Sequence, residues 1–148
     1  MRDELYKLIM KVDFKQAEKI FLKMPENMQQ EVIERFTCDT ESMIFYAFIQ
    51  YLNEKGEKIL YHEIAFGILY GLLCHIEGAY QMAFYHNQRL LELVPESLKY
   101  RKWMLLFYDI KVIDIETAKK YALEVLTMDK NHQEANYIIN KLENQDIK

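Results

Sequence analysis

Glycine and proline are scarce in this chain, with four glycines and two prolines in 148 residues. A turn-rich β fold and long disordered linkers both need such breakers, so both are excluded. Cysteine is scarce as well. Cys38 and Cys74, in a chain large enough to bury a core, read as reduced, buried thiols rather than a bridge. No basic block stands out among 23 acids and 19 bases, which leave a net charge of -4. Nothing in that mixture would neutralise a row of phosphates, so nucleic acid is not an expected partner. Long apolar runs are also missing. The strongest uncharged run, 64–76, covers thirteen residues, whereas a spanning helix needs about 20. It reads as a buried helix, and no membrane insertion is expected. The opening MRDELYK lacks the apolar stretch of a secretory signal, so the expectation is a cytoplasmic protein.

What the chain does have is helical periodicity throughout, with 51% hydrophobic and 28% charged residues. Leu5, Leu8, Ile9 and Val12 are spaced as one helix face. So are Phe14, Ala17, Ile20, Phe21 and Met24, a stretch that Asp13 can cap and Pro25 ends. The pattern predicts nine helices, over about 3–12, 14–24, 26–36, 41–53, 57–75, 79–94, 96–110, 115–128 and 132–142. Asp39 or Thr40 is the expected cap of the fourth helix and Asp114 of the eighth. Gly56 marks the clearest break, and Pro95 suits a first-turn or flanking position. No segment sustains a strand's period of two. The short connections force neighbouring helices to pack antiparallel. The expectation is a single all-helical domain over 1–148, with 143–148 a fraying tail.

A spacing of 35 residues relates Ala83 and Pro95 to Ala118 and Lys130. The two segments, GAYQMAFYHNQRLLELVPES and DIETAKKYALEVLTMDKNHQ, share an early small residue, a leucine-rich stripe and a closing break. Such a period marks stacked helical hairpins, in which each hairpin buries the apolar face of its neighbour. With Gly71, Ala83 and Pro95 in one unit and Trp103, Phe107 and Ala118 in the next, the stretch 57–142 resembles the tetratricopeptide-repeat family. Lys130 stands where that family has proline, and the Trp103 and Phe107 ladder is displaced by one residue from Ala118. The resemblance implies stacked antiparallel hairpins in a right-handed superhelix, with partners on the face of each unit's first helix. That face would contain Ile68, Leu72, His75, Arg101, Met104, Tyr108 and Lys111. Arg101 and Lys111 could hold a carboxylate while Met104 and Tyr108 cover apolar side chains. A frame shifted by one residue would place Trp103 and Phe107 there instead.

Aromatic residues concentrate at Tyr61, Phe66, Tyr70, Tyr80, Phe84 and Tyr85, a candidate surface for a homodimer. His62, Cys74, His75 and His86 lack the intervals of a metal motif, and HEIAF lacks the second histidine of zinc peptidases. No metal, cofactor or catalytic group is therefore expected. Gly67 and Gly71, four residues apart, read as a close helix contact. The expected function is a noncatalytic module (adaptor, regulator or inhibitor) that binds a protein or peptide. The alternative is a helical enzyme or small-ligand protein with a pocket near His62 and His75.

Overall fold

The computed structural model describes residues 1–146, and among these every regular element is helical. Nine α-helices follow in order: α1 (Arg2–Met10), α2 (Phe14–Phe21), α3 (Glu26–Thr40), α4 (Ile44–Lys55), α5 (Ile59–Gly67), α6 (Ala79–Leu93), α7 (Leu98–Asp109), α8 (Ile115–Met128) and α9 (Gln133–Asp146). A π-helical turn, Ile68–Leu72, continues α5. Among the described residues no helix is long and apolar enough to cross a membrane. The chain divides into two compact units, with the division inside α6 between His86 and Asn87.

In unit 1 the aromatic stripe of α4 organises the core. Phe45, Phe48, Ile49 and Leu52 recur at helical spacing and are buried together with Leu5 and Ile9 of α1 and Ala17 and Phe21 of α2. Phe48 lies 5.4 Å, centroid to centroid, from both Phe14 and Phe21. Phe36 of α3 brings its ring to 5.5 Å from Phe45. Asp13 caps α2 as expected, its carboxylate accepting from the Gln16 N–H.

The turn before that cap holds Val12 at φ 61°, a left-handed conformation in which a β-branched side chain crowds its own backbone. Val12 is 62% exposed, so little packing opposes its removal. Val12→Gly should therefore stabilise the chain, by about 1 kcal/mol, read as a rise in the urea midpoint. An unchanged or lower midpoint would show that the turn carries no strain.

Two other expectations fail locally. Neither Asp39 nor Thr40 caps α4, because α3 continues through Thr40 and closes on Glu41 in the left-handed region, φ 54°. The Thr40 hydroxyl instead donates back to the Phe36 carbonyl at 2.8 Å. The fifth helix does not reach His75: its α-helical ladder ends at Gly67, widens to the π turn, and gives way to turns before Gly78 at φ 86°. Two glycines one turn apart weaken helix propensity here. They do not mediate a close contact, since a Cβ on Gly67 would meet only Glu34 Oε1 at 3.8 Å and one on Gly71 would meet nothing.

In unit 2, α8 packs against both α7 and α9. Ala118 and Ala122 are fully buried, and their small side chains let neighbouring helices approach. Arg101 binds Glu124 at 2.9 Å and Lys102 binds Asp129 at 3.1 Å. These pairs join the start of α7 to the end of α8, so the two helices run antiparallel. Asp114 caps α8 through the Thr117 N–H at 2.8 Å. Ser97 rather than Pro95 opens α7, its hydroxyl accepting from the Tyr100 N–H at 3.2 Å; Pro95 takes the flanking position. The expected tail begins inside α9, which runs through Asp146, and its last two positions, 147 and 148, lie outside the described residues.

Candidate functional site

The seven residues expected on a partner face divide between the units and differ in access. Ile68 and Met104 are fully buried core side chains, which removes them from any accessible surface. A helix frame shifted by less than one residue is enough to turn such positions inward. His75 is exposed in the turns after the π segment, and Leu72 is half-buried. Arg101 already holds Glu124 at 2.9 Å and the Ser97 carbonyl at 3.1 Å, so it is not free for a partner's carboxylate. Lys111 is exposed in the left-handed turn after α7, at φ 61°. Of the shifted frame, Phe107 is fully buried, while Trp103 lies beneath the Lys99 ammonium at 4.9 Å.

Tyr108 is the predicted residue around which unit 2 builds something more. The Lys141 ammonium of α9 lies 5.1 Å from the centre of the Tyr108 ring and 5.9 Å from that of Tyr137. One cation on α9 therefore reaches a ring of α7 and a ring of its own helix, a cation–π arrangement. Hydrogen bonding with Tyr108 raises the Lys141 pKa above its ordinary value, so the site is positive at neutral pH. Tyr137 is 55% exposed. Nearby, burial raises the Glu134 carboxyl above its ordinary value, assisted by the charge of Asp109. Tyr108, Tyr137 and Lys141 thus offer aromatic area and one cation, and Lys111, exposed, follows the end of α7. Nothing in the 35-residue spacing pointed to Lys141, because its partner on α7 is far off in sequence.

Unit 1 holds a groove of about 590 Å³ between α3 and the end of α5. Glu31, Glu34 and Asp39 stand on its α3 side, with Gly67, Gly71 and Leu72 opposite. A second groove, of about 490 Å³, is lined by Glu26, Glu57, Lys58 and Glu63. Neither is lined by His62 or His75, which do not converge: His62 is 1% exposed, while His75 is at the surface. His62 meets His86 instead, Nδ1 to Nδ1 at 2.9 Å. Its Nε2 lies 2.8 Å from the Glu57 carboxylate and 3.2 Å from Asn53 Nδ2. On the other side, His86 Nε2 lies 3.0 Å from the Tyr46 hydroxyl. Burial, and then the charge of His62, pushes the His86 pKa down to about 3. Burial, with Tyr85 nearby, pushes Tyr46 up to about 12. Tyr46 is therefore held as the neutral phenol at neutral pH.

Among the described residues no group of three or more His, Cys, Asp or Glu side chains could hold a metal ion. Both cysteines are free, and Cys38 is exposed rather than buried. Of the aromatic residues considered for a dimer, Tyr61 and Phe66 are core, whereas Tyr85 is 50% exposed. No protein-family model matches the chain, and no curated protein or solved structure matches it either.

Proposed function

We propose that this chain is a noncatalytic protein-interaction module, built on a tetratricopeptide-repeat-like stack and binding an acidic segment of a protein partner. The observation that carries the reading is Lys141 set between Tyr108 and Tyr137 on the α7–α9 face. In a stack of hairpins the first helices of successive units lie side by side and present such a face. The antiparallel α7–α8 pair and the nearness of α9 to α7 suit that arrangement. Chemically, the two tyrosines supply contact area with polar ends, and Lys141 and Lys111 supply charge for a carboxylate. Aromatic anchors carry more of such an interface than surface cations, because a desolvated ring removes more area from water.

The test is direct binding of acidic and neutral peptides of about 12 residues, a length that suits one helical face. Acidic peptides should bind, and Tyr108→Ala with Tyr137→Ala should weaken the best of them at least about tenfold. Lys141→Gln should weaken binding less and flatten its salt dependence. Circular dichroism checks that the variants keep their helicity. Equal binding of acidic and neutral peptides, or full affinity in the double variant, would count against the reading.

A further inference from the structure

The series Glu57, His62, His86 and Tyr46, buried except at its exposed carboxylate end, is used by none of the above, and its protons can be counted. With Glu57 ionised, His62 must donate through Nε2–H to the carboxylate 2.8 Å away. Its Nδ1 is then a bare acceptor, so at 2.9 Å His86 must donate through Nδ1–H. His86 Nε2 is in turn an acceptor, and the Tyr46 hydroxyl donates to it across 3.0 Å. Asn53 Nδ2, 3.2 Å from the same Nε2, is itself a donor, its carbonyl being taken by the Lys58 N–H, so it adds no bond to the four-residue series. Two neutral imidazoles thus satisfy every member, with each proton donated in one direction, from α4 through α6 to the start of α5. Buried polar series of this kind are favourable only while complete.

An added proton breaks the order. On His86 it turns Nε2 into a second donor, so the Tyr46 hydroxyl loses the acceptor 3.0 Å away. A further proton would set two N–H groups head to head across 2.9 Å. The Glu57 carboxylate compensates a charge on His62, but the neighbours described for His86, namely Tyr46, Tyr85 and His62, bring it no negative charge. Tyr46 and Asn53 come from α4, Tyr85 stacks edge-on against His86 from α6, and Glu57 supplies the neighbouring carboxylate. From α3, Glu26 lines a groove with Glu57, Lys58 and Glu63 at the start of α5, while Glu31, Glu34, Arg35 and Asp39 lie at its Gly67 and Leu72 end.

We infer that these four residues form an acid-operated latch, which holds α4, α5 and the first turns of α6 together while both imidazoles are neutral and releases them as the pair takes up protons. The sign follows from the proton count. The unfolded or opened chain protonates His86 at about 6.5, the folded chain only near 3. Neutral His86 therefore contributes its full stability above pH 6.5, and that contribution drains away as the pH falls from there towards 3.

Amide hydrogen exchange on the wild-type chain, corrected for intrinsic rates, tests this between about pH 7.5 and about pH 5. The opening constant of α4 and α5 amides should rise about tenfold for each pH unit below 6.5, while α8 amides stay protected. Imidazole nitrogen spectra at neutral pH should show the proton on Nε2 of His62 and on Nδ1 of His86. His86→Gln should abolish the slope; if that variant does not fold, exchange and spectra on the native chain still decide. Protection in α4 and α5 that is flat to about pH 5 would overturn the latch. So would equal loss in α8, or a His86 imidazole that titrates near the ordinary value.

Discussion

Phe48→Ala should cost about 3–5 kcal/mol of folding free energy, the largest loss expected from a single substitution in unit 1. Phe48 is fully buried on α4, and its ring is the meeting point of Phe14 and Phe21, each 5.4 Å away by centroid. α2 is short, Phe14–Phe21, and helices of that length are marginal without tertiary packing. Removing the ring therefore loses the transfer free energy of a phenyl group and the edge contacts that hold α2 in place. The cavity left behind cannot be refilled by α4, because Phe45 and Ile49 are already packed on either side. Phe48→Leu, which keeps most of the volume, should cost less than half as much. Urea unfolding followed by circular dichroism reads both. A loss under about 1 kcal/mol for Phe48→Ala would mean that α2 is not sealed against α4 in the way described.

Gln29→Leu should cost about 2–3 kcal/mol despite replacing a polar core residue by an apolar one of similar size. Gln29 is 5% exposed, and its Nε2 donates to the Phe21 carbonyl at 3.1 Å and to the Met24 carbonyl at 2.9 Å. One side chain of α3 thereby satisfies the open end of α2 and the turn before Pro25. With leucine the Phe21 carbonyl keeps the Met24 N–H at 3.0 Å, but the Met24 carbonyl loses its side-chain donor, and a buried carbonyl so deprived keeps the penalty of leaving water. Gln29→Glu sharpens the test. An ionised carboxylate would face two carbonyl oxygens, so its pKa would rise and the variant would gain stability as pH falls. A Leu variant as stable as the wild type would show that water replaces Gln29.

Asp13 and Asp114 were legible as caps because a cap is local: an oxygen and an N–H three residues on, brought together by the first helical turn. The same locality explains why α8 has the bounds that periodicity predicts. Locality also explains the errors. Thr40 has a hydroxyl suited to capping, yet it donates backwards into α3, since the ladder of α3 is continuous up to Glu41. His62 and His86 were noticed as residues but not as a pair, because α5, the π turn and the following loop lie between them. Cys74 and His75, nearer to His62 in sequence, are not among the partners described for it. Lys141 and Gln29 carried no local signal, as each acts on backbone or rings of another helix. The division within α6 falls in an unbroken helical stripe, where no composition change marks it.

The sequence by itself determined an all-helical chain, the approximate position of each helix and the faces that must leave water, because helical period and side-chain hydrophobicity act within a few residues. Tertiary structure alone decided which polar groups became partners. It turned Ile68 and Met104 inward, set Tyr108 and Tyr137 around Lys141, and closed Glu57, His62, His86 and Tyr46 into one donor series. The reason is geometric. A helix spreads its side chains about 100° apart around its axis, so a packing rotation of less than one residue exchanges core for surface. Hydrogen bonds, with a tolerance of a few tenths of an ångström, are selected only after that rotation is set.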